Sequence, residues 1–111
     1  MSEAGGEVAV VAPRGRIDTN TSGELERTLF GHLGAGETRM LVDLSGVEYI
    51  SSAGLRVLLK AEKAVRQKGG RLVLCSLGQP VREVFDLSGL SSVFAIEDTR
   101  ERARERFAEG K

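Results

Sequence analysis

Two adjacent hydroxyls, Ser51 and Ser52, stand where the chain changes character. An apolar run from Met40 to Leu44 ends in a Ser45-Gly46 turn. After the serine pair come Ala53 and Gly54, then Leu55, Leu58 and Leu59 at helical spacing. A serine at a helix entrance can cap the free backbone N–H groups of the first turn. A phosphate placed there would sit at the positive end of the helix dipole. Two negative charges could thus be switched on and off at one surface point without unfolding the domain. Read in isolation, Ser-Ser before a helix is also an ordinary cap, and both readings stand at this level.

The elements that must position this pair follow from periodicity and punctuation. Val8 to Ala12 is a β-branched run bounded by Pro13 and Gly15, which predicts a strand. Thr21-Ser22-Gly23-Glu24 fits a capping box, with Leu25, Leu29, His32 and Leu33 following at helical spacing and Gly34 and Gly36 ending the helix. Met40 to Leu44 reads as a buried strand. The helix that opens at Ser52 runs to about Gln67 and stops at Gly69-Gly70. Arg71 to Ser76 is a third strand. Pro80 suits the first turn of a helix whose apolar face is Val81, Val84 and Phe85, closed by Gly89. Val93 to Ile96 is a last strand, and Asp98-Thr99-Arg100-Glu101 is a second capping box before a charged helix. Strands and helices alternate, which argues for an α/β domain with a mostly parallel sheet and right-handed crossovers.

The totals exclude several classes of function. A chain of 111 residues is one domain, and with no Trp and one Tyr its core must rest on Leu, Val, Ile and Ala. Lys plus Arg and Asp plus Glu both number 16, so neither nucleic acid nor an anionic membrane is expected as the main partner. The one cysteine, Cys75, ends the apolar run Leu72-Val73-Leu74 and reads as a buried thiol. One histidine, His32, cannot build a metal site alone. There is no phosphate-binding loop and no nucleophile elbow, so no catalytic residue, cofactor or metal is expected. Without an N-terminal apolar segment or a membrane-length apolar run, the expected location is the cytoplasm.

Asp43-Leu44-Ser45-Gly46-Val47 followed by Tyr49-Ile50-Ser51-Ser52-Ala53-Gly54-Leu55 resembles the signature of the STAS domain, in particular of bacterial anti-sigma factor antagonists. Gly15-Arg16-Ile17-Asp18, Gly69-Gly70-Arg71-Leu72-Val73-Leu74 and Val84-Phe85-Asp86-Leu87-Ser88-Gly89-Leu90 extend the resemblance from about residue 7 to the C-terminus. It implies a single STAS-like domain over residues 7–111 with a flexible segment 1–6, and a central mixed, mostly parallel sheet of four to five strands with about four helices. The family usually has a further strand ahead of Val8, for which only Met1 to Gly6 remains. That edge strand is expected to be short or absent.

The resemblance also implies a function. Such antagonists bind an anti-sigma factor that is also a serine kinase of the histidine-kinase-like ATPase fold. Phosphorylation weakens that binding, and a serine phosphatase of the PP2C type reverses it. The domain is a substrate and a binding module, not an enzyme. In phosphorylatable members the acceptor serine follows an Asp. Aligned on Ala53-Gly54-Leu55, the acceptor is Ser52, and Ser51 holds the Asp position as a competing hydroxyl. The implied partner-binding residues are Asp18, Thr19, Asn20 and Thr21 before the first helix, with Ser51, Ser52, Ala53, Gly54 and Arg56 at the second. Lys60, one turn past Arg56, is a further candidate contact. The alternative is a non-switching STAS scaffold subunit of a signalling assembly, in which Ser52 serves only as a cap.

Overall fold

The computed structural model describes residues 8–109. The elements are β1 (Ala9–Val11), β2 (Gly15–Ile17), α1 (Ser22–Gly34), β3 (Arg39–Asp43), β4 (Val47–Ile50), α2 (Ser52–Gln67), β5 (Arg71–Cys75), α3 (Gln79–Ser88), one 3-10 turn (Leu90–Ser92), β6 (Ala95–Glu97) and α4 (Arg100–Glu109). The main sheet has the order β1-β3-β5-β6. Every described strand pairing is parallel, so the expected mixture of directions is not seen among the described residues. The expected flexible segment 1–6 and any strand ahead of β1 lie outside the described residues.

Burial on both sides explains the sequence of the central strands. Leu41 and Val42 in β3, and Val73 and Leu74 in β5, are all fully buried, as parallel strands covered by helices require. Side chains alternate between two cores. Met40, Val42, Leu72 and Leu74 face Leu25, Leu29 and Leu33 of α1, Leu58, Ala61 and Val65 of α2, and Val81 and Phe85 of α3. Leu41, Val73 and Cys75 face Ala103 and Phe107 of α4. Phe85 and Phe94 close the larger core with an edge-to-face contact at 5.7 Å. The connection from α2 into β5 depends on Gly70, where a Cβ would lie 2.1 Å from the Thr38 carbonyl oxygen.

Three expectations are corrected. Gly15–Ile17 and Val47–Ile50 form a separate two-stranded parallel ribbon, β2-β4, that periodicity did not reveal. These strands have three and four residues, with only Ile17 of the first and Val47 and Ile50 of the second buried, too short to show a period of two. The last strand lies at Ala95–Glu97, because Leu90 to Ser92 form a 3-10 turn and Val93 and Phe94 complete it. The two capping boxes also differ from their expected form. The Thr21 hydroxyl makes no cap bond to α1, and in α4 the cap is Thr99, whose Oγ1 accepts from the Arg102 N–H at 3.1 Å.

Candidate functional site: the entrance of α2 and the β2-α1 loop

The two serines at the start of α2 have different jobs. β4 delivers the chain to Ser51, whose extended backbone (φ −92°, ψ 175°) makes it the N-cap. Its Oγ accepts from the Gly54 N–H at 3.4 Å, and its carbonyl accepts from the Leu55 N–H at 3.0 Å. Ser52 is the first helical residue and is exposed. Among the described residues no hydrogen bond engages its hydroxyl. By residue type alone Ser52 could cap the helix. The geometry gives it to Ser51, since only the residue just outside the helix can reach back to the third N–H.

Gly54 holds this entrance against the ribbon. It is buried, and a Cβ there would lie 2.7 Å from Ile17 Cγ2 and 2.8 Å from Ile50 Cγ1. The Ser51 N–H donates to the Ile17 carbonyl at 2.8 Å. The start of α2 is therefore tied to the last residue of β2, directly before Asp18. Gly54 acts by allowing close approach. Ala53 is half-buried, and Ser52 and Arg56 carry the outward surface.

The β2-α1 loop is closed on itself. The Asn20 N–H donates to Asp18 Oδ1 at 3.0 Å, an Asx turn. The Thr21 hydroxyl donates to the Arg16 carbonyl at 2.8 Å and accepts from the Asp18 N–H at 2.9 Å. The Ser22 N–H donates to the Asp18 carbonyl at 2.8 Å. Thr19 and Asn20 are left at an exposed tip, with Asp18 half-buried beneath it. Beside it, β2 and β4 pair Arg16 with Tyr49, and the guanidinium stands 4.5 Å above the exposed ring. No local sequence signal marks this pair, because its members lie 33 positions apart and meet only through the ribbon.

The electrostatics of the entrance favour an anion. The first turn of α2 has no acidic residue, whereas those of α1 and α4 contain Glu24 and Glu101. Arg56 is exposed one turn from Ser52 and makes no ion pair among the described residues. Lys60 differs from its expected role. Its Nζ meets Glu26 Oε2 at 2.5 Å and lies over the Phe30 ring, so it binds α2 to α1.

Asp43, in the signature ahead of the serines, is structural here. Its Oδ1 accepts from the Ser45 N–H at 2.9 Å, which turns the chain toward β4, and its Oδ2 accepts from Arg100 at 2.7 and 3.0 Å. Burial alone would raise its pKa. The Ser45 and Arg100 interactions outweigh that and hold the carboxyl below the ordinary aspartate value. Among the described residues, no helix is long and apolar enough to cross a membrane.

Comparison with known proteins agrees with this architecture. The STAS domain family model matches residues 2–103. BtrV of Bordetella bronchiseptica, named as an anti-sigma factor antagonist, is 44% identical over 94 residues, covering 85% of this chain and 81% of the relative. The anti-sigma-B factor antagonist of Listeria monocytogenes is 31% identical over 84 residues, covering 76% of this chain and 74% of the relative. The crystal structure of an anti-sigma factor antagonist from Mycobacterium paratuberculosis superimposes with a TM-score of 0.84 at 26% identity, covering 97% of this chain and 90% of that one. With the signature at the α2 entrance and the fold both in place, the chain belongs to the STAS domain family.

Proposed function

We propose that this protein is an anti-sigma factor antagonist switched by phosphorylation of Ser52. The observation that carries the reading is the division of labour at the α2 entrance. Ser51 caps the helix, which leaves the Ser52 hydroxyl exposed and unengaged among the described residues. The relatives named as anti-sigma factor antagonists support the same role. Unphosphorylated, the surface of Ser52, Arg56 and the Asp18–Thr21 loop docks on an anti-sigma factor that is also a serine kinase of the histidine-kinase-like ATPase fold, and thereby frees a sigma factor. The kinase supplies ATP, Mg²⁺ and the base. Ser52 Oγ attacks the γ-phosphorus, ADP leaves, and the hydroxyl proton passes to that base. A PP2C-type phosphatase returns the serine by hydrolysis.

Charge explains why the modification acts as a switch. Phosphate brings about −1.5 to −2 charges at neutral pH. Within the antagonist those charges meet the N-terminal N–H groups of α2 and the Arg56 guanidinium at i+4, an arrangement that stabilises a helix. Against a partner surface that had accommodated a neutral hydroxyl, an uncompensated buried charge costs several kcal/mol. The antagonist stays folded while its partner is repelled.

The test is phosphosite mapping. Wild type, Ser52→Ala and Ser51→Ala are incubated with candidate histidine-kinase-like serine kinases and ATP, and intact mass is recorded. Wild type and Ser51→Ala should each gain one phosphate and Ser52→Ala none. Full incorporation in Ser52→Ala would refute the assignment. Partner binding by a protein that is never phosphorylated would favour the non-switching scaffold.

A further inference from the structure

Among the described residues the two faces of the main sheet are covered unequally. Three helices pack on one face around a large core. On the other, α4 covers Leu41, Val73 and Cys75 with two buried side chains, Ala103 and Phe107. Seven of the ten α4 residues, Arg-Glu-Arg-Ala-Arg-Glu-Arg-Phe-Ala-Glu, are charged. The rest of its attachment is polar and sits at its two ends. At the entrance, Arg100 Nε and Nη2 both donate to Asp43 Oδ2, at 3.0 and 2.7 Å. Toward the exit, Arg39 donates to the Phe107 carbonyl and Arg71 to the Arg106 carbonyl, each at 3.1 Å, and Arg106 pairs with Glu97.

A ten-residue helix is marginal in water on its own. Its docking rests on one aromatic, one alanine and polar contacts, while the opposite face rests on a continuous apolar core. Segments with few buried apolar contacts open at lower free energy than the fold as a whole. We infer that α4 is a strap that detaches from the sheet as a unit while the three-helix face stays folded, with the Asp43–Arg100 pair as its latch. Detachment bares Leu41, Val73 and Cys75, all fully buried when it is closed.

Cys75 is the only cysteine in the chain and reports the opening directly. Burial pushes its thiol pKa up, and the nearby Asp43 carboxylate adds to that. Its full burial beneath Ala103 and Phe107 keeps a reagent from the sulfur until α4 leaves. The experiment is labelling of Cys75 by a small aromatic disulfide reagent across a urea series, beside hydrogen exchange of α4 and α2 amides. Below the unfolding transition, wild type should label faster than global unfolding allows and with a shallower urea slope. The α4 amides should exchange in step with labelling, and the α2 amides far more slowly. Arg100→Ala should speed labelling roughly five- to tenfold, as expected for loss of a charge-assisted hydrogen bond at a partly exposed site. Val81→Ala, in the opposite core, should lower global stability and leave low-urea labelling unchanged, because it weakens the closed and strap-open states alike. If Val81→Ala speeds labelling in proportion to its loss of stability, Cys75 opens only by global unfolding and the strap is refuted. Unchanged labelling in Arg100→Ala would refute the latch.

Discussion

The entrances of α1 and α2 begin with similar residues and end with opposite properties. Each helix starts with a serine preceded by a hydroxyl residue, Thr21-Ser22 in α1 and Ser51-Ser52 in α2. In α1 the Thr21 hydroxyl turns back to the Arg16 carbonyl, and Ser22 is buried. In α2 the Ser51 hydroxyl caps the helix, and Ser52 faces out. The first turn of α1 holds Glu24, and that of α2 has no acid. Only the second entrance offers an accessible hydroxyl at a helix N-terminus not already neutralised. Accessibility and local field, rather than residue type, separate a structural serine from a candidate acceptor.

The largest expected effect breaks this comparison at the level of binding. Phosphorylation of Ser52 should lower affinity for the anti-sigma partner by about two decades or more, several kcal/mol at roughly 1.4 kcal/mol per decade. Ser52→Asp should weaken binding less, because it brings about one charge in place of nearly two. Calorimetry on the three forms measures it, and mapping should find no phosphate on Ser22. Equal affinity of the phosphorylated and free forms would remove the functional distinction between the two entrances.

Next is packing. Gly54→Ala drives a methyl group against Ile17 and Ile50, and should cost about 1–3 kcal/mol even though alanine is the better helix former. Gly23→Ala in α1 meets nothing closer than Arg27 Nη1 at 3.8 Å, and should be neutral or stabilising by up to about 1 kcal/mol. Urea midpoints of the two variants should move in opposite directions or differ by well over their error.

A smaller effect separates the two serines of α2. Ser51→Ala removes the cap and should cost about 1 kcal/mol. Ser52→Ala, at an exposed position without a hydrogen-bond partner among the described residues, should fall within about 0.5 kcal/mol of wild type. Thermal unfolding of the pair decides it. A larger loss in Ser52→Ala would return the cap to Ser52.

The smallest expected effect concerns pH at a third entrance, that of α4. Arg100 faces the Asp43 carboxylate from α4, the Ser45 N–H faces it from the following turn, and Cys75 stands beside it in β5. The folded pKa of Asp43 lies below its unfolded value. Its contribution is therefore complete above the ordinary aspartate value of about 3.9 and lost as pH falls through the lower folded value. Arg100 is partly exposed, so the contribution should be about 1 kcal/mol. Unfolding free energies of wild type and Asp43→Asn should converge below that range and separate above it.

Much of this was legible in the chain because it is local. The apolar runs Met40–Leu44 and Arg71–Ser76 overlap β3 and β5, since strands buried on both faces leave an unbroken apolar signature. Pro80 and Gly89 bracket α3 as their backbone preferences dictate, with Gly89 at φ 78°. The α2 helix matches the expected span of 52 to 67. The β2-β4 ribbon, the roles of Thr21 and Ser51, the Lys60–Glu26 contact and the Asp43–Arg100 pair were not legible. Each depends on which distant segment arrives beside a side chain with several partners available to it.

The sequence by itself determined the alternation of elements, the approximate span of most of them, the position of the serine pair at a helix entrance and the membership that its signature implies. These follow from backbone preferences and burial periods that act over a few residues. Tertiary structure alone decided which serine caps and which is presented, because Gly54 must pack on Ile17 and Ile50 before Ser51 can bond both Ile17 and its own helix. It also decided that, among the described residues, one sheet face is covered by three helices and the other by a single charged one. A hydroxyl or a guanidinium bonds whatever the fold brings within about 3 Å, and that distance is set by the packing of residues far apart in the chain.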